Sequence, residues 1–113
     1  MRPGDVVLIR LPQATGGPPK LRPAVVLALL PGPFQNVLIC GVSTRLEELQ
    51  PDWDEFMNAR EADFAESGLH RPSAIRLSYL YAADVRELSG AIGRVDPQRL
   101  NRLRARLAGL LAS

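Results

Sequence analysis

Histidine and cysteine, the side chains most readily recruited as base, nucleophile or metal ligand near neutral pH, occur once each in these 113 residues, as His70 and Cys40. One of each leaves no residues for a histidine-pair zinc site, a thiolate metal cluster or an internal disulfide. Cys40 falls in the apolar run 37–42, where a cysteine behaves as a small buried hydrophobe. His70 lies in a loop and no serine sits in a nucleophile-elbow pattern, so nothing supports a Ser-His-Asp triad. Gly16-Gly17 runs into two prolines and is no phosphate loop. The acids within 47–54 lack EF-hand spacing and read as solvated. No metal or cofactor is expected. What remains is arginine with hydroxyls. A planar guanidinium grips phosphate bidentately and stacks on bases, and a hydroxyl both donates and accepts, so the chemistry on offer is the holding and polarising of a phosphate. Lys20 is the sole lysine, every other basic residue being arginine, although a genomic composition bias would leave the same imprint.

Periodicity predicts the elements that must carry such groups. Pro3-Gly4-Asp5 opens a β-branched run over 6–11 that Pro12 closes, a strand. Residues 13–20 hold two glycines and two prolines and read as an exposed, mobile loop between strands. Residues 23–30 are nearly all apolar, a strand buried on both faces or central in its sheet. After the turn of Pro31-Gly32-Pro33 and Gln35-Asn36, residues 37–42 form a third strand. Along 44–60, Leu46, Leu49, Trp53, Phe56 and Met57 recur at helical spacings among acids while Pro51 interrupts any longer helix, which reads as a long functional loop with local structure. A short strand is expected around Phe64. Residues 73–81 alternate, with Ile75, Leu77 and Tyr79 on one face and Arg76, Ser78 and Leu80 on the other, and 90–95 reads as a last strand.

The C-terminus is the clearest signal. Asp96 is an N-cap with Pro97 at the first helical position; Leu100, Leu103, Leu107, Leu110 and Leu111 make one stripe, and Arg99, Arg102 and Arg106 lie across from it as an expected solvated face. The length suits one domain, 1–113. A hydrophobic content of 46% and a charged content of 23% suit a globular chain rather than a disordered one. No apolar run approaches the ~20 residues of a membrane span and the start lacks a signal-peptide layout, so a cytoplasmic location is expected. The net charge of +2 does not by itself announce a nucleic-acid binder. Five or six short strands with one terminal helix predict a mainly β fold, a small closed or half-closed barrel.

At this point the chain resembles a known family. Gly4-Asp5-Val6-Val7, a Gly/Pro-rich loop and Arg22-Pro23-Ala24-Val25-Val26-Leu27 are similar to the opening of MazF/PemK toxins. Val37-Leu38-Ile39-Cys40-Gly41-Val42-Ser43-Thr44 resembles their third strand, which ends in threonine or serine. Ser73-Ala74-Ile75-Arg76-Leu77 is similar to their later core strand, and Ile92-Gly93-Arg94-Val95 before a Leu-rich helix to their closing segment. The resemblance is loosest over 46–60. It implies an SH3-like barrel (CcdB/PemK-like) of five to seven strands with a C-terminal α-helix. It further implies a metal-independent endoribonuclease that cleaves single-stranded RNA at short motifs by 2′-OH attack, leaving a 2′,3′-cyclic phosphate and a 5′-OH. The implied partners are a cognate acidic antitoxin and a second copy in a homodimer.

Such chemistry needs a base for the 2′-OH, a donor for the leaving oxygen and cations for the crowded phosphorane. Arg22 matches the family's arginine after the loop; since arginine keeps its proton below a pKa of about 12, it is expected as electrostatic stabiliser or proton donor rather than base. An ordinary surface arginine before a strand-opening proline is the plain alternative. Ser43 aligns with the family's phosphate-binding threonine, with Thr44 a rival on the opposite face of the strand. Arg76 matches an arginine with an acid role in the PemK branch. Two residues on, that branch carries an aspartate proposed as base where this chain has Ser78, so Asp5 is a candidate replacement if the barrel brings it near. Lys20, Thr44, Asp5 and Ser78 complete the expected substrate contacts. The competing reading is a non-catalytic nucleic-acid-binding or gyrase-inhibiting toxin on the same barrel. A third is an interaction domain docking through Leu46, Trp53 and Phe56.

Overall fold

The structure, a computed structural model, describes residues 1–13 and 15–113. Six strands make one antiparallel sheet: β1 (Asp5–Leu11), β2 (Lys20–Leu29), β3 (Asn36–Ser43), β4 (Glu55–Met57), β5 (Ser73–Asp84) and β6 (Leu88–Arg94), in the order β4-β5-β3-β2-β1-β6. The edge strands β4 and β6 do not pair with each other, so the sheet is open. A four-residue helix α1 (Phe64–Ser67) and the long helix α2 (Pro97–Ala112) complete the chain, with 3₁₀ turns at Leu46–Glu48 and Val85–Glu87. The mainly β fold with a C-terminal helix is the architecture that the short β-branched runs predict. The expected loop over 13–20 includes Ala14, which lies outside the described residues; 15–19 are irregular and exposed.

Successive residues of a strand face opposite sides, and each face here has its own core. Val6, Val25, Leu27, Cys40, Ile75 and Leu77 pack with Met57, Leu69, Leu103 and Leu107 beneath α2. Val7, Ile9, Leu11, Ala24, Val26 and Ile39 form the second cluster on the other side, closed over by Tyr79, Tyr81 and Leu88. This is why 24–27 are buried without a break. Cys40 is fully buried, and burial pushes its thiol up to about 12, so the inert structural cysteine expected from its apolar run is what the fold contains.

Three local expectations are corrected. Residues around Phe64 form α1 instead of a strand. Gly68 ends that helix in the left-handed region at φ +77°, and a Cβ on Gly68 would overlap the Ile92 carbonyl, as one on Gly93 would overlap the carbonyls of Glu66 and Ser67. The close approach of the helix end to β6 thus requires two glycines. The alternation over 73–81 is broken by a bulge. Cys40 pairs with Leu80 but the next residue, Gly41, pairs with Arg76, so Leu77 faces the first core and Tyr79 the second.

The third correction concerns Arg99, Arg102 and Arg106 of α2: Arg99 is buried, and Arg102 and Arg106, though partly exposed, are paired with an acid beneath them. Arg99 is only 4% exposed. Its Nε and Nη2 donate to the Asp63 carboxylate at 2.9 and 3.1 Å, and its Nη1 donates to Glu55 at 2.8 Å. Glu55 also accepts from Arg102 Nε at 2.8 Å and pairs with Arg106 Nη1 at 2.9 Å. Asp96 caps the helix as expected, accepting from the Arg99 N–H at 2.7 Å. Burial opposes ionisation of Glu55, but the hydrogen bond from Arg102 and the charges of Arg102, Arg99 and Arg106 outweigh it and hold the carboxyl below its usual range. Asp63 is likewise lowered: burial works against its charge, and the Arg99 hydrogen bond and the Asp96 N–H overcome it.

Removing one partner from a buried ion cluster leaves uncompensated charge. Arg99→Ala is therefore expected to lower the unfolding free energy by about 3–5 kcal/mol, read from urea denaturation. Because Glu55 and Asp63 have folded pKa values below their unfolded ones, their contribution is complete above the ordinary carboxylate pKa of about 4 and is lost as pH falls through the lower folded values. The melting temperature of the wild type should hold level from about pH 7 to 5 and drop below about pH 4. A melting temperature unchanged down to pH 3 would contradict this account.

Candidate active site

Strand register explains how three arginine and hydroxyl side chains meet. Gly41 of β3 pairs with Ala24 of β2 on one side and with Arg76 of β5 on the other. Carrying the β2–β3 register two residues further sets Arg22 across from Ser43, on the same face as Ala24 and Gly41 because side chains repeat with period two. Ser43 itself pairs with Ala74, so Arg76 is its diagonal neighbour on that face, within reach of a long side chain. Glycine at position 41 leaves the middle of the triangle empty; the nearest atoms a Cβ there would meet belong to the Tyr79 side chain, at 3.5 Å.

The result is a cavity of about 130 Å³ with Arg22, Ser43 and Arg76 in its lining, together with Gln13, Arg45, Glu48 and Tyr79. That volume is small beside the ~300–1,000 Å³ of sites that enclose whole drug-sized ligands and suits a single compact polar group. Three guanidiniums against one carboxylate make it a cavity for an anion. Arg22 has no hydrogen-bond or ion-pair partner among the described residues. Arg76 Nη1 lies 3.9 Å from Glu48 Oε1, while its Nε is buried with no acceptor, an unmet donor in a structure where such groups are normally paired.

Glu48 is the residue that sequence reasoning missed. The Ser43 hydroxyl donates to Glu48 Oε1 at 2.8 Å and accepts from the Arg45 N–H at 3.0 Å, so the serine proton is already given to a carboxylate rather than held for a ligand. Glu48 lies in the 3₁₀ turn Leu46–Glu48 that follows β3 directly, and this turn folds it back over the end of the strand. In the sequence it is one of several acids in a stretch read as solvated. Neither its spacing from Ser43 nor its neighbours mark it out.

The other candidates are placed elsewhere. Thr44 faces away from Ser43 and lines a larger cavity of about 700 Å³ with Leu21, His70, Arg71 and Ile92, in which Arg22 forms the shared wall. Lys20 is exposed at the start of β2, paired with Leu11, and lines neither cavity. Asp5 sits at the far end of β1 opposite Arg94, accepting from the Arg2 N–H at 2.9 Å. Ser78 lies in the β5 bulge, where its N–H and hydroxyl donate to the carboxylate of Asp54 at 3.0–3.1 Å. Asp54 is 6% exposed and also accepts from the Gln50 N–H at 2.8 Å, tying the loop after Glu48 to β5. Asp54 also belongs to the stretch that reads as solvated, and it is buried. Among the described residues, no group of three or more histidines, cysteines and acids is placed to hold a metal ion.

An open antiparallel sheet backed by a C-terminal helix, with an arginine-lined cavity beside the end of β3, defines a small β-rich protein with a pocket rich in positive charge. The model of the PemK-like, MazF-like toxins of type II toxin-antitoxin systems matches residues 2–111, and the chain belongs to this family. Membership makes it a toxin of such a system and implies an antitoxin as partner. No curated protein gives a significant match.

Asp54 anchors the loop that follows Glu48, which makes it a handle on the site from outside it. Asp54→Ala removes the buried carboxylate that accepts from the half-exposed donors of Gln50 and Ser78, and the loss of these charge-assisted bonds is expected to cost about 1.5–3 kcal/mol. Amide exchange at those two residues should quicken more than in the β1–β2 pair, as measured by hydrogen exchange; uniform quickening throughout the sheet would show that Asp54 is not a local anchor.

Proposed function

We propose that this toxin is a metal-independent endoribonuclease that cleaves single-stranded mRNA at short motifs. The observation that carries the reading is the convergence of Arg22, Ser43 and Arg76 on one compact cavity. A scissile phosphate in it meets two guanidiniums able to stabilise the extra negative charge of a phosphorane. The unmet Nε–H of Arg76 supports an anionic occupant. Arg22 acts as electrostatic stabiliser, since its proton is too tightly held for it to be a base. The larger cavity beyond Arg22 offers apolar walls at Leu21 and Ile92 beside His70 and Arg71, a surface on which a neighbouring base can stack or be read at its edge.

Among the described residues the outer edge of β6 pairs with no strand and its middle is exposed, which supports a symmetric homodimer that covers the edge and lengthens the RNA path. The antitoxin is expected to be acidic and to compete with RNA for the arginine-lined cavity. No helix among the described residues is long and apolar enough to cross a membrane, and an mRNA substrate implies work in the cytoplasm. Ser78, held by Asp54, offers no carboxylate where the PemK branch has one. That substitution is what favours the competing reading, a toxin that binds nucleic acid without cutting it.

The test is incubation of long single-stranded RNA with the purified chain in EDTA. Fragments ending in 2′,3′-cyclic phosphate and 5′-OH are expected, and Arg22→Ala should slow their appearance by about 10²–10³-fold. Equal cleavage by both proteins removes Arg22 from the mechanism. RNA that stays intact while bound points to the non-catalytic reading.

A further inference from the structure

The geometry points to Glu48 as the general base of this nuclease, with Ser43 as the positioning residue that aims it, an inference that rests on the endoribonuclease reading. A 2′-OH attack needs a proton acceptor beside the scissile phosphate. Among the residues lining the cavity, Glu48 is the one carboxylate. Asp5 lies at the opposite end of β1, and the carboxylate of Asp54 is filled by Ser78 and Gln50. Arg22, Arg45 and Arg76 cannot serve as bases at neutral pH.

The two oxygens of Glu48 are unequal. Oε1 accepts the Ser43 hydroxyl at 2.8 Å and faces Arg76 Nη1 at 3.9 Å, whereas Oε2 has no hydrogen-bond partner among the described residues. A carboxylate held by one oxygen with the other open is oriented for proton abstraction, since a positioned base avoids the entropy of finding its proton. Ser43 in turn is fixed by the Arg45 N–H at 3.0 Å. The serine therefore acts on the reaction through Glu48 and not by donating to the phosphate.

In the step itself, the O–H bond of the 2′-hydroxyl breaks and its proton passes to Glu48 Oε2. The freed electron pair forms the P–O2′ bond as P–O5′ breaks. The leaving 5′ oxygen takes a proton from water, and Glu48 returns its proton to solvent. The products are a 2′,3′-cyclic phosphate and a 5′-OH. This arrangement also accounts for a chain that lacks the carboxylate two residues after Arg76: the acid comes from the turn after β3 instead of from β5.

The experiment compares wild type, Glu48→Gln, Glu48→Ala and the exposed neighbour Glu47→Gln on single-stranded RNA in EDTA. Binding is measured in parallel on an oligonucleotide whose 2′-hydroxyls are replaced by hydrogen. Glutamine keeps an oxygen for the Ser43 hydroxyl and loses the basic carboxylate. Glu48→Gln is expected to lower kcat by about 10²–10⁴-fold with binding of the uncleavable strand unchanged or tighter. Glu47→Gln should behave as wild type. Added formate should restore part of the Glu48→Ala rate in a saturable manner, a rescue that a merely structural role would not show. The proposal is overturned if Glu48→Gln cuts within about threefold of wild type, or if glutamine restores what alanine loses and formate restores nothing. Failure of the wild type to cut RNA defeats the nuclease reading and this proposal together, and is told apart from the other outcomes by that control alone.

Discussion

A guanidinium removed from water keeps its charge, so the fold around it must bring acids to it or not form. Arg99 is that group here. It projects from the first turn of α2 into a site that α2 cannot satisfy by itself, and its partners come from elsewhere in the chain: Glu55 from β4 and Asp63 from the residue that precedes α1. Three segments that share little regular structure are thereby held to one point. With them in place α2 covers the core of Val6, Val25, Cys40, Ile75 and Leu77, and β4 is set against β5.

The cavity depends on this arrangement at one remove. β4 begins directly after Asp54, and Asp54 closes on the β5 bulge through Ser78. The loop from 44 to 54 is therefore tied at both ends, by Ser43 at the close of β3 and by Asp54 against β5. Between these ties the 3₁₀ turn carries Glu48 over the end of the sheet. The bulge has a second effect. By pairing Gly41 with Arg76 it brings the arginine two residues in from the end of β3, on the face of Ser43, and Tyr79 lines the same cavity.

Two sets of arginines consequently have different fates on one small protein. Arg99, Arg102 and Arg106 are matched by Glu55 and Asp63 and hold the helix down. Arg22, Arg45 and Arg76 share a single acid, Glu48, and leave an excess of positive charge in a confined space. A formal net charge of +2 conceals this separation, because the average over the surface says nothing about where acids have been spent on structure. Electrostatic attraction acts through the local arrangement of charge and not through this average.

The chain's own residues determine much of this directly. β-branched runs bounded by Pro and Gly mark β1, β2 and β3; Asp96-Pro97 and the leucine stripe mark α2; the uninterrupted apolar run of β2 marks a strand with two buried faces. These are local signals, carried by side chains within a few positions of one another, and resemblance to the toxin family drew attention to Arg22, Ser43 and Arg76. What only the tertiary structure decided are the pairings between distant residues. Asp63 with Arg99, Asp54 with Ser78 and Glu48 with the end of β3 leave no periodic trace, since an exposed acid and a buried, paired one are the same letter. The bulge in β5 is equally hidden, because alternation in sequence cannot reveal a register shift that is set by the neighbouring strand. Where a charge sits relative to its partner is a property of the folded chain, and in this protein that property separates the arginines that build the fold from those that face the cavity.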